Sequence, residues 1–277
     1  MIKFIEQEPY SPIAHTYEVQ RILHKEKSKF QELTVIENPF FGRMLLLDGI
    51  VQITERDELF YHEILTQVVM HSHPDPKRVV VIGGGDGGVV KEVLKHKSVE
   101  KVYFVEIDEA VIRVSKEFFP EVSSSVDDPK VEIRVMDGAE FVRSVKNIDI
   151  TIVDSTDVIG FARTLFTKEF FENVKSSMNS DGMFVTHTES LHFHKDIVIE
   201  MQENLKRVFP VVDLYTQCIA TYPGNWWAFA VSTNGLNPRQ MRRPFEIETK
   251  YYDDEIHERL FVTKKFYNKL INRELKW

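Results

Sequence analysis

The most constraining feature of this chain is an apolar run that ends in glycines. Val79-Val80-Val81-Ile82 leads into Gly83-Gly84-Gly85-Asp86-Gly87-Gly88, and then into Val89-Val90-Lys91-Glu92-Val93-Leu94. The β-branched run reads as a buried parallel strand, the glycines as a tight turn, and the third segment as the helix that follows. A turn without Cβ atoms lets a ligand approach the backbone closely. Its central acid is unusual. A turn that cradles phosphate takes its negative charge from the ligand, so Asp86 suggests a ligand that carries positive charge.

The same alternation continues along the chain. Helical spacing covers 58–70. Strands are then expected at 79–82, 101–106, 131–135, 149–153 and 183–186, and helices at 89–94, 109–119, 139–145 and 168–178. Strands separated by helix-length segments predict an α/β fold built on a doubly wound parallel sheet. The alternating 131–135 strand suits a position nearer an edge, and 211–215 with 226–232 suit a closing antiparallel pair. Before this region the chain alternates apolar and polar residues in short runs, with turn signals at Asn38-Pro39 and Asp48-Gly49. The expected division is a small N-terminal antiparallel β domain over 1–55 and a catalytic doubly wound domain over 56–277.

Composition narrows the partners. With 277 residues and a net charge of −8, nucleic acid and anionic membranes are poor partners and a small cation is a good one. Cys218 is the single cysteine, so no internal disulfide forms; it reads as a buried small residue. No run of 18 or so apolar residues occurs and the start carries no cleavage signal. A soluble, cytoplasmic protein is expected.

Acids stand where the strands end, which is where ligands sit in open α/β sheets. Asp86 follows the first strand, Glu106 ends the second, Asp137-Gly138 follows the third, and Asp154-Ser155-Thr156-Asp157 follows the fourth. One such acid can be a helix cap; four in succession form a pattern. Glu106 lies about 20 residues beyond the turn, the spacing at which an acid reaches ribose hydroxyls. Asp137 is placed to accept from an exocyclic amine. Together they imply a nucleoside. The turn lacks Gly-Lys-Ser/Thr, and Asp86 would repel a pyrophosphate. A sulfonium nucleoside fits better, and Asp86 favours a tail ending in a bare ammonium: decarboxylated S-adenosylmethionine rather than the intact form.

These residues carry a family resemblance. Thr54-Glu55-Arg56-Asp57-Glu58-Leu59-Phe60-Tyr61-His62-Glu63, the glycine turn, Val105-Glu106-Ile107-Asp108, Asp137-Gly138, Asp154-Ser155-Thr156-Asp157 and Thr221-Tyr222-Pro223 resemble the spermidine synthases, the polyamine aminopropyltransferases. So do Ser28-Lys29-Phe30-Gln31 and Leu47-Asp48-Gly49. The resemblance implies a Rossmann-like sheet of the class I methyltransferase kind. It implies transfer of an aminopropyl group from decarboxylated S-adenosylmethionine, a co-substrate, to an amine; putrescine would give spermidine and methylthioadenosine. Neither a metal nor another cofactor is expected, and a homodimer or homotetramer is. On the donor side the resemblance assigns Gln31, His62, Asp86, Glu106, Asp137, Gly138 and Phe161. On the acceptor side it assigns Tyr61, Asp157 and Tyr222, with Asp154 as the proton acceptor.

The chain departs from the family pattern mainly on the acceptor side. Val158 and Phe161 replace two prolines after Asp157. Thr186-His187-Thr188-Glu189 stands where Gln-x-Glu/Asp is usual, without the nearby tryptophan. Gly224-Asn225-Trp226-Trp227 follows Pro223, and Tyr10 is the nearest candidate for an aromatic residue expected near the N-terminus. An aminopropyltransferase with another acceptor, such as a longer polyamine or a peptide or natural-product intermediate, is therefore one alternative, and a non-catalytic nucleoside- or polyamine-binding relative is another. A methyltransferase using intact S-adenosylmethionine is disfavoured by Asp86 and by the Asp154/Asp157 pair. His187, His192 and His194 lack metal-ligand spacing. Trp226 and Trp227 read as packing or pocket wall.

Overall fold

The structure, a computed structural model, describes residues 2–8, 11–156 and 164–277. Tyr10, Asp157, Val158 and Phe161 lie outside the described residues.

The first elements are antiparallel. Strands β1 (Ile2–Gln7) and β2 (Ala14–Val19) pair as a hairpin. Strands β3 (Arg21–Lys27), β4 (Glu32–Asn38), β5 (Gly42–Leu47) and β6 (Ile50–Thr54) form a four-stranded sheet in that order. Helix α1 (Glu58–Ser72) then leads into strand β7 (Arg78–Gly83), helix α2 (Gly88–Leu94), strand β8 (Lys101–Glu106), helix α3 (Glu109–Phe118), strand β9 (Val131–Val135), helix α4 (Gly138–Ser144), strand β10 (Ile148–Asp154), helix α5 (Lys168–Ser177) and strand β11 (Met178–Ser190). Helix α6 (Lys195–Lys206), strands β12 (Val211–Cys218) and β13 (Trp226–Thr233), and helices α7 (Asp254–Leu260) and α8 (Lys264–Ile271) complete the chain.

The central sheet has the order β12-β13-β11-β10-β7-β8-β9. Neighbours from β11 to β9 pair in parallel, whereas β13 pairs antiparallel with both β11 and β12. The period of two in a strand explains why its strands read as continuous apolar runs. Val79 and Val81 face one core with α1 and α2, while Val80 and Ile82 face the other with α4, α5 and α6. A strand buried on both faces has no polar side to show in its sequence. The edge position of β9 is borne out: Ile133 and Val135 are exposed.

The N-terminal sheet does not stand apart. Leu33, Val35, Leu45, Leu47 and Ile53 share a core with Val111 and Val114 of α3. This packing lays β4–β6 over the carboxyl end of the parallel sheet. Two details differ from the sequence reading. Strand β11 begins at Met178, several residues before the expected start, because Met178 already pairs with Ile148; a register shift passes over 179–182 before Met183 pairs with Ile150. Cys218 is exposed, since it ends β12 at the rim of the sheet.

Candidate active site

The strand order reverses at β7. Strands β8 and β9 lie on one side of it and β10 and β11 on the other, and such a switch point opens a crevice beyond the strand ends. Gly83 and Asp154, the last residues of β7 and β10, pair across it. Gly84 must be glycine for two reasons. Its φ is +63°, and a Cβ there would lie 2.5 Å from Asp154 Oδ2. A cavity of about 320 Å³ occupies the crevice, and Gln31, Tyr61, Asp86, Glu106, Asp137, Gly138, Asp154 and Tyr222 all line it. The turn, the strand-end acids and the early loop thus meet in one place. Asp157 and Phe161 lie outside the described residues.

His62 is placed differently from the expectation. It is fully buried behind Asp86 and is not among the lining residues. Helical spacing from Glu58 directs its ring at the glycine turn, where a Cβ on Gly88 would clash with it. Nδ1–H donates to Glu58 Oε2 at 2.6 Å, and Nε2 lies 3.2 Å from Asp86 Oδ1. Lys91 continues the row, donating to Glu58 Oε1 at 3.2 Å. Burial alone would lower the His62 pKa, yet Asp86 and Glu58 outweigh it and raise it well above the ordinary value. Burial would raise Asp86, yet His62 and the Gly88 N–H (2.7 Å) hold it below the usual carboxylate range. Asp86 therefore stands ionised in the cavity wall, backed by an imidazolium.

Asp154 has the opposite character. Burial, followed by repulsion from Asp86, raises its pKa to about 7, against opposing contributions from His62 and the Tyr61 hydrogen bond. Tyr61 Oη donates to Asp154 Oδ1 at 2.7 Å. Asp154 Oδ2 is buried and has no hydrogen-bond partner among the described residues. One oxygen is thus fixed, and the other is left for a ligand. A buried carboxyl with its pKa near 7 on a cavity wall suits proton transfer.

Glu106, Asp137 and Gln31 line the cavity together with Leu45, Leu47 and Ile53. Burial pushes Glu106 up to about 7, and its Oε1 accepts from the Asp108 backbone N–H at 2.9 Å. Asp137 caps α4, accepting from the Ala139 and Glu140 N–H groups through Oδ1, so the bland reading of this acid as a cap holds alongside its place on the cavity. Gln31 donates to Asp108 Oδ2 at 3.1 Å, beside Ser28 Oγ at 2.6 Å. That pair of bonds ties the early loop to the start of α3. Leu45, Leu47 and Ile53 roof this side; the sequence reading did not single them out, because an apolar roof has the same pattern as an apolar core.

The other side is aromatic. Tyr222 Oη donates to the Gln52 carbonyl at 2.7 Å. His187 and Trp227 also line the cavity. The sequence signal for them is that both depart from the family pattern. The expectation of pocket wall or packing holds for Trp227 as wall; Trp226 instead packs toward Phe266 and Trp277 at the surface. His194 lies between Glu8 and Glu189 and is not among the residues that line the cavity. Among the described residues, His62, Asp86 and Asp154 gather ligand-type atoms within 4.8 Å, as do His73, Asp149 and Asp181. An imidazolium at His62 has no lone pair for a metal. In the second group both Asp149 oxygens already accept, from Lys77 N, Arg78 N and Asn179 Nδ2.

Comparison with known proteins matches this architecture throughout. Residues 58–240 match the family model described as the spermine/spermidine synthase domain, and residues 2–55 that of the spermidine synthase tetramerisation domain. A polyamine aminopropyltransferase of Hydrogenobaculum sp. is 49% identical over 277 residues, covering 100% of this chain and 99% of the relative. Polyamine aminopropyltransferase 1 of Aquifex aeolicus is 47% identical, with the same coverage. Among solved structures, a spermidine synthase in complex with the transition-state analogue AdoDATO superposes with a TM-score of 0.92 at 34% identity, covering 98% of this chain and 95% of that one. The spermidine synthase of Thermotoga maritima gives 0.91 at 34% identity, covering 98% and 94%.

Proposed function

Because the chain belongs to the spermine/spermidine synthase family and is a polyamine aminopropyltransferase, we propose that it moves the aminopropyl group of decarboxylated S-adenosylmethionine to putrescine, giving spermidine and methylthioadenosine, with Asp154 as proton acceptor. The observation that carries this reading is the pair of unlike acids in one cavity. Asp86 is ionised and suits a fixed ammonium, and Asp154 has its pKa raised to about 7 with one oxygen unpartnered among the described residues.

In the reaction the amine nitrogen attacks the carbon beside the sulfonium. The C–N bond forms as the C–S bond breaks, and sulfur leaves as a neutral thioether. The positive charge passes to nitrogen, and the product leaves as a secondary ammonium, so the one proton released is the one given up before attack. An alkylamine has a pKa of about 10.4 in water, so it arrives protonated and must lose a proton before it can attack. Asp154, raised to about 7, meets that demand better than an ordinary carboxylate, and burial lowers the amine's own pKa toward it. Alignment of the two reactants supplies more: effective molarity accounts for about 7–11 kcal/mol in well-oriented pairs. Glu106 would accept from the ribose diol, and Gln31, Asp137 and Gly138 would hold the base. Asp86, backed by His62, would hold the aminopropyl ammonium. Phe161 is assigned to the nucleoside and Asp157 to the acceptor, with Tyr61 and Tyr222 lining the acceptor's path.

The match to a tetramerisation domain supports an oligomer, and a homodimer or homotetramer is proposed; Ile2, Ile5, Ile22 and Phe40 of that segment are exposed apolar side chains. Among the described residues no helix is long and apolar enough to cross a membrane. The test is an acceptor panel with decarboxylated S-adenosylmethionine, read as product mass and methylthioadenosine release. Putrescine is expected to gain one aminopropyl unit and to be turned over fastest. Faster turnover of another amine overturns the acceptor assignment, and calorimetric binding without methylthioadenosine release overturns catalysis.

A further inference from the structure

Two departures from the family pattern that lie far apart in sequence, His187 and Trp227, meet in the fold. They stand on the antiparallel neighbours β11 and β13, and their rings stack with centroids 5.9 Å apart and planes 17° apart. Tyr222 meets Trp227 at 4.8 Å, Tyr61 meets Tyr222 at 5.4 Å, and His187 meets Tyr61 at 6.3 Å. The four rings close a box on the cavity wall, and Tyr61 ties it to Asp154.

Among the described residues two ring nitrogens of this box are buried without a hydrogen-bond partner, the Trp227 N–H, which can only donate, and His187 Nδ1. His187 Nε2 lies 2.7 Å from the Ser155 carbonyl oxygen. That oxygen can only accept, so Nε2 carries the proton. In a neutral ring the lone pair is then on Nδ1. Burial pushes the pKa of His187 down to about 4, which keeps the ring neutral at working pH. Nδ1 is buried and has no hydrogen-bond partner among the described residues. A buried acceptor left unpaired carries a desolvation cost, and this one belongs to a ring that lines the cavity.

We propose that His187 is a specificity-determining residue for the acceptor: Nδ1 accepts a hydrogen bond from a nitrogen of the amine substrate, and Trp227, stacked on the ring, holds it in that orientation beside the substrate's methylene chain. The inference rests on the aminopropyl-transfer reading above. A neutral acceptor distinguishes N–H from C–H without adding a charge that competes with Asp86 and Asp154. Glutamine keeps that ability. Phenylalanine keeps the ring and loses both nitrogens.

The experiment is steady-state kinetics on the full chain for wild type, His187→Phe, His187→Gln and Trp227→Phe. Putrescine and n-butylamine are varied at fixed donor, and the donor is then varied at fixed amine. His187→Phe is expected to raise the amine KM roughly 10- to 100-fold, the range for a hydrogen bond to a charged group, and the donor KM by much less. His187→Gln should recover most of the loss, and Trp227→Phe should shift the amine KM in the same direction by less. A loss confined to putrescine assigns the bond to the distal nitrogen, and an equal loss on n-butylamine assigns it to the attacking one. An unchanged amine KM in His187→Phe overturns the inference. So does a fall in kcat with equal rises in both KM values that His187→Gln shares, since the ring would then only prop Ser155. Absence of transfer to any amine by the wild type overturns the underlying reading instead.

Discussion

The ends of the cavity proposed to hold the donor and the acceptor are assembled in different ways. The donor end is made by topology: Asp86, Glu106 and Asp137 follow β7, β8 and β9 in turn, and parallel strands bring their carboxyl ends to one rim. The acceptor end is made by side chains that meet across the fold. Tyr61 comes from α1, His187 from β11, Tyr222 from the turn before β13, and Trp227 from β13 itself. The two ends also differ in electrostatics. Asp86 is an ionised acid backed by a charged histidine, whereas His187 is held neutral by burial. One histidine near the site thus stabilises charge and the other offers a lone pair, a difference set by whether carboxylates or aromatic rings surround it. Asp154 sits where the two ends meet.

The largest expected effect is therefore at the junction. Asp154→Asn keeps the shape and can still accept from Tyr61, but it cannot take a proton. We expect kcat to fall by about 10²- to 10⁴-fold, the usual contribution of a positioned general base. Single-turnover release of methylthioadenosine measures this, and calorimetry should show donor affinity within a few-fold of wild type. A variant that loses donor binding and keeps its single-turnover rate would place Asp154 in the donor end and erase the distinction.

That contrast also explains what the sequence made legible. The glycine turn, the alternation of strands with helices, and the acid after each strand are local signals, because the backbone path alone brings them together. They located β7 to β11 and the donor acids. His62 shows the limit of such reading. Its position on α1 follows from helical spacing, but only the fold shows that the ring lies behind Asp86. Trp227 shows the same limit on the acceptor side. The tryptophan that seemed to be missing after Glu189 has a counterpart on the antiparallel strand opposite, with Ser190 as its cross-strand partner. Cross-strand contact has no fixed sequence separation, so neither spacing nor periodicity reveals it. The roof residues Leu45, Leu47 and Ile53 alternate in the way any half-buried sheet does.

A second, smaller effect sharpens the donor end. Asp86→Asn removes the charge proposed to face the donor's ammonium. We expect donor kcat/KM to fall roughly 10- to 100-fold, and the preference for decarboxylated over intact S-adenosylmethionine to shrink with it, as competition between the two shows. The same change removes the repulsion that helps to raise Asp154. The acid limb of kcat/KM for the amine should therefore move to lower pH. A limb that moves upward would mean that the loss of charge at His62 dominates.

The smallest effect separates Glu106 from Asp154, whose pKa values both stand at about 7 for the same first reason, burial. Donor binding measured without amine should strengthen as pH rises from 6 to 8, by up to about tenfold, because an ionised Glu106 accepts hydroxyl hydrogen bonds more strongly. Glu106→Gln should flatten that profile, whereas Asp154→Asn should leave it. The stability sign runs the other way. A carboxyl raised above its unfolded pKa of 4.5 binds more protons folded than unfolded, so its contribution is full at low pH and is lost as pH climbs toward 7. For a shift of this size the loss is on the order of 3 kcal/mol. Glu106→Gln should therefore gain stability relative to wild type between pH 5 and pH 8, as denaturant unfolding at each pH reads. One substitution that flattens the donor profile and yields this relative gain ties both to the same carboxyl. A flattened donor profile without the gain would mean that Glu106 is not the group burial holds protonated.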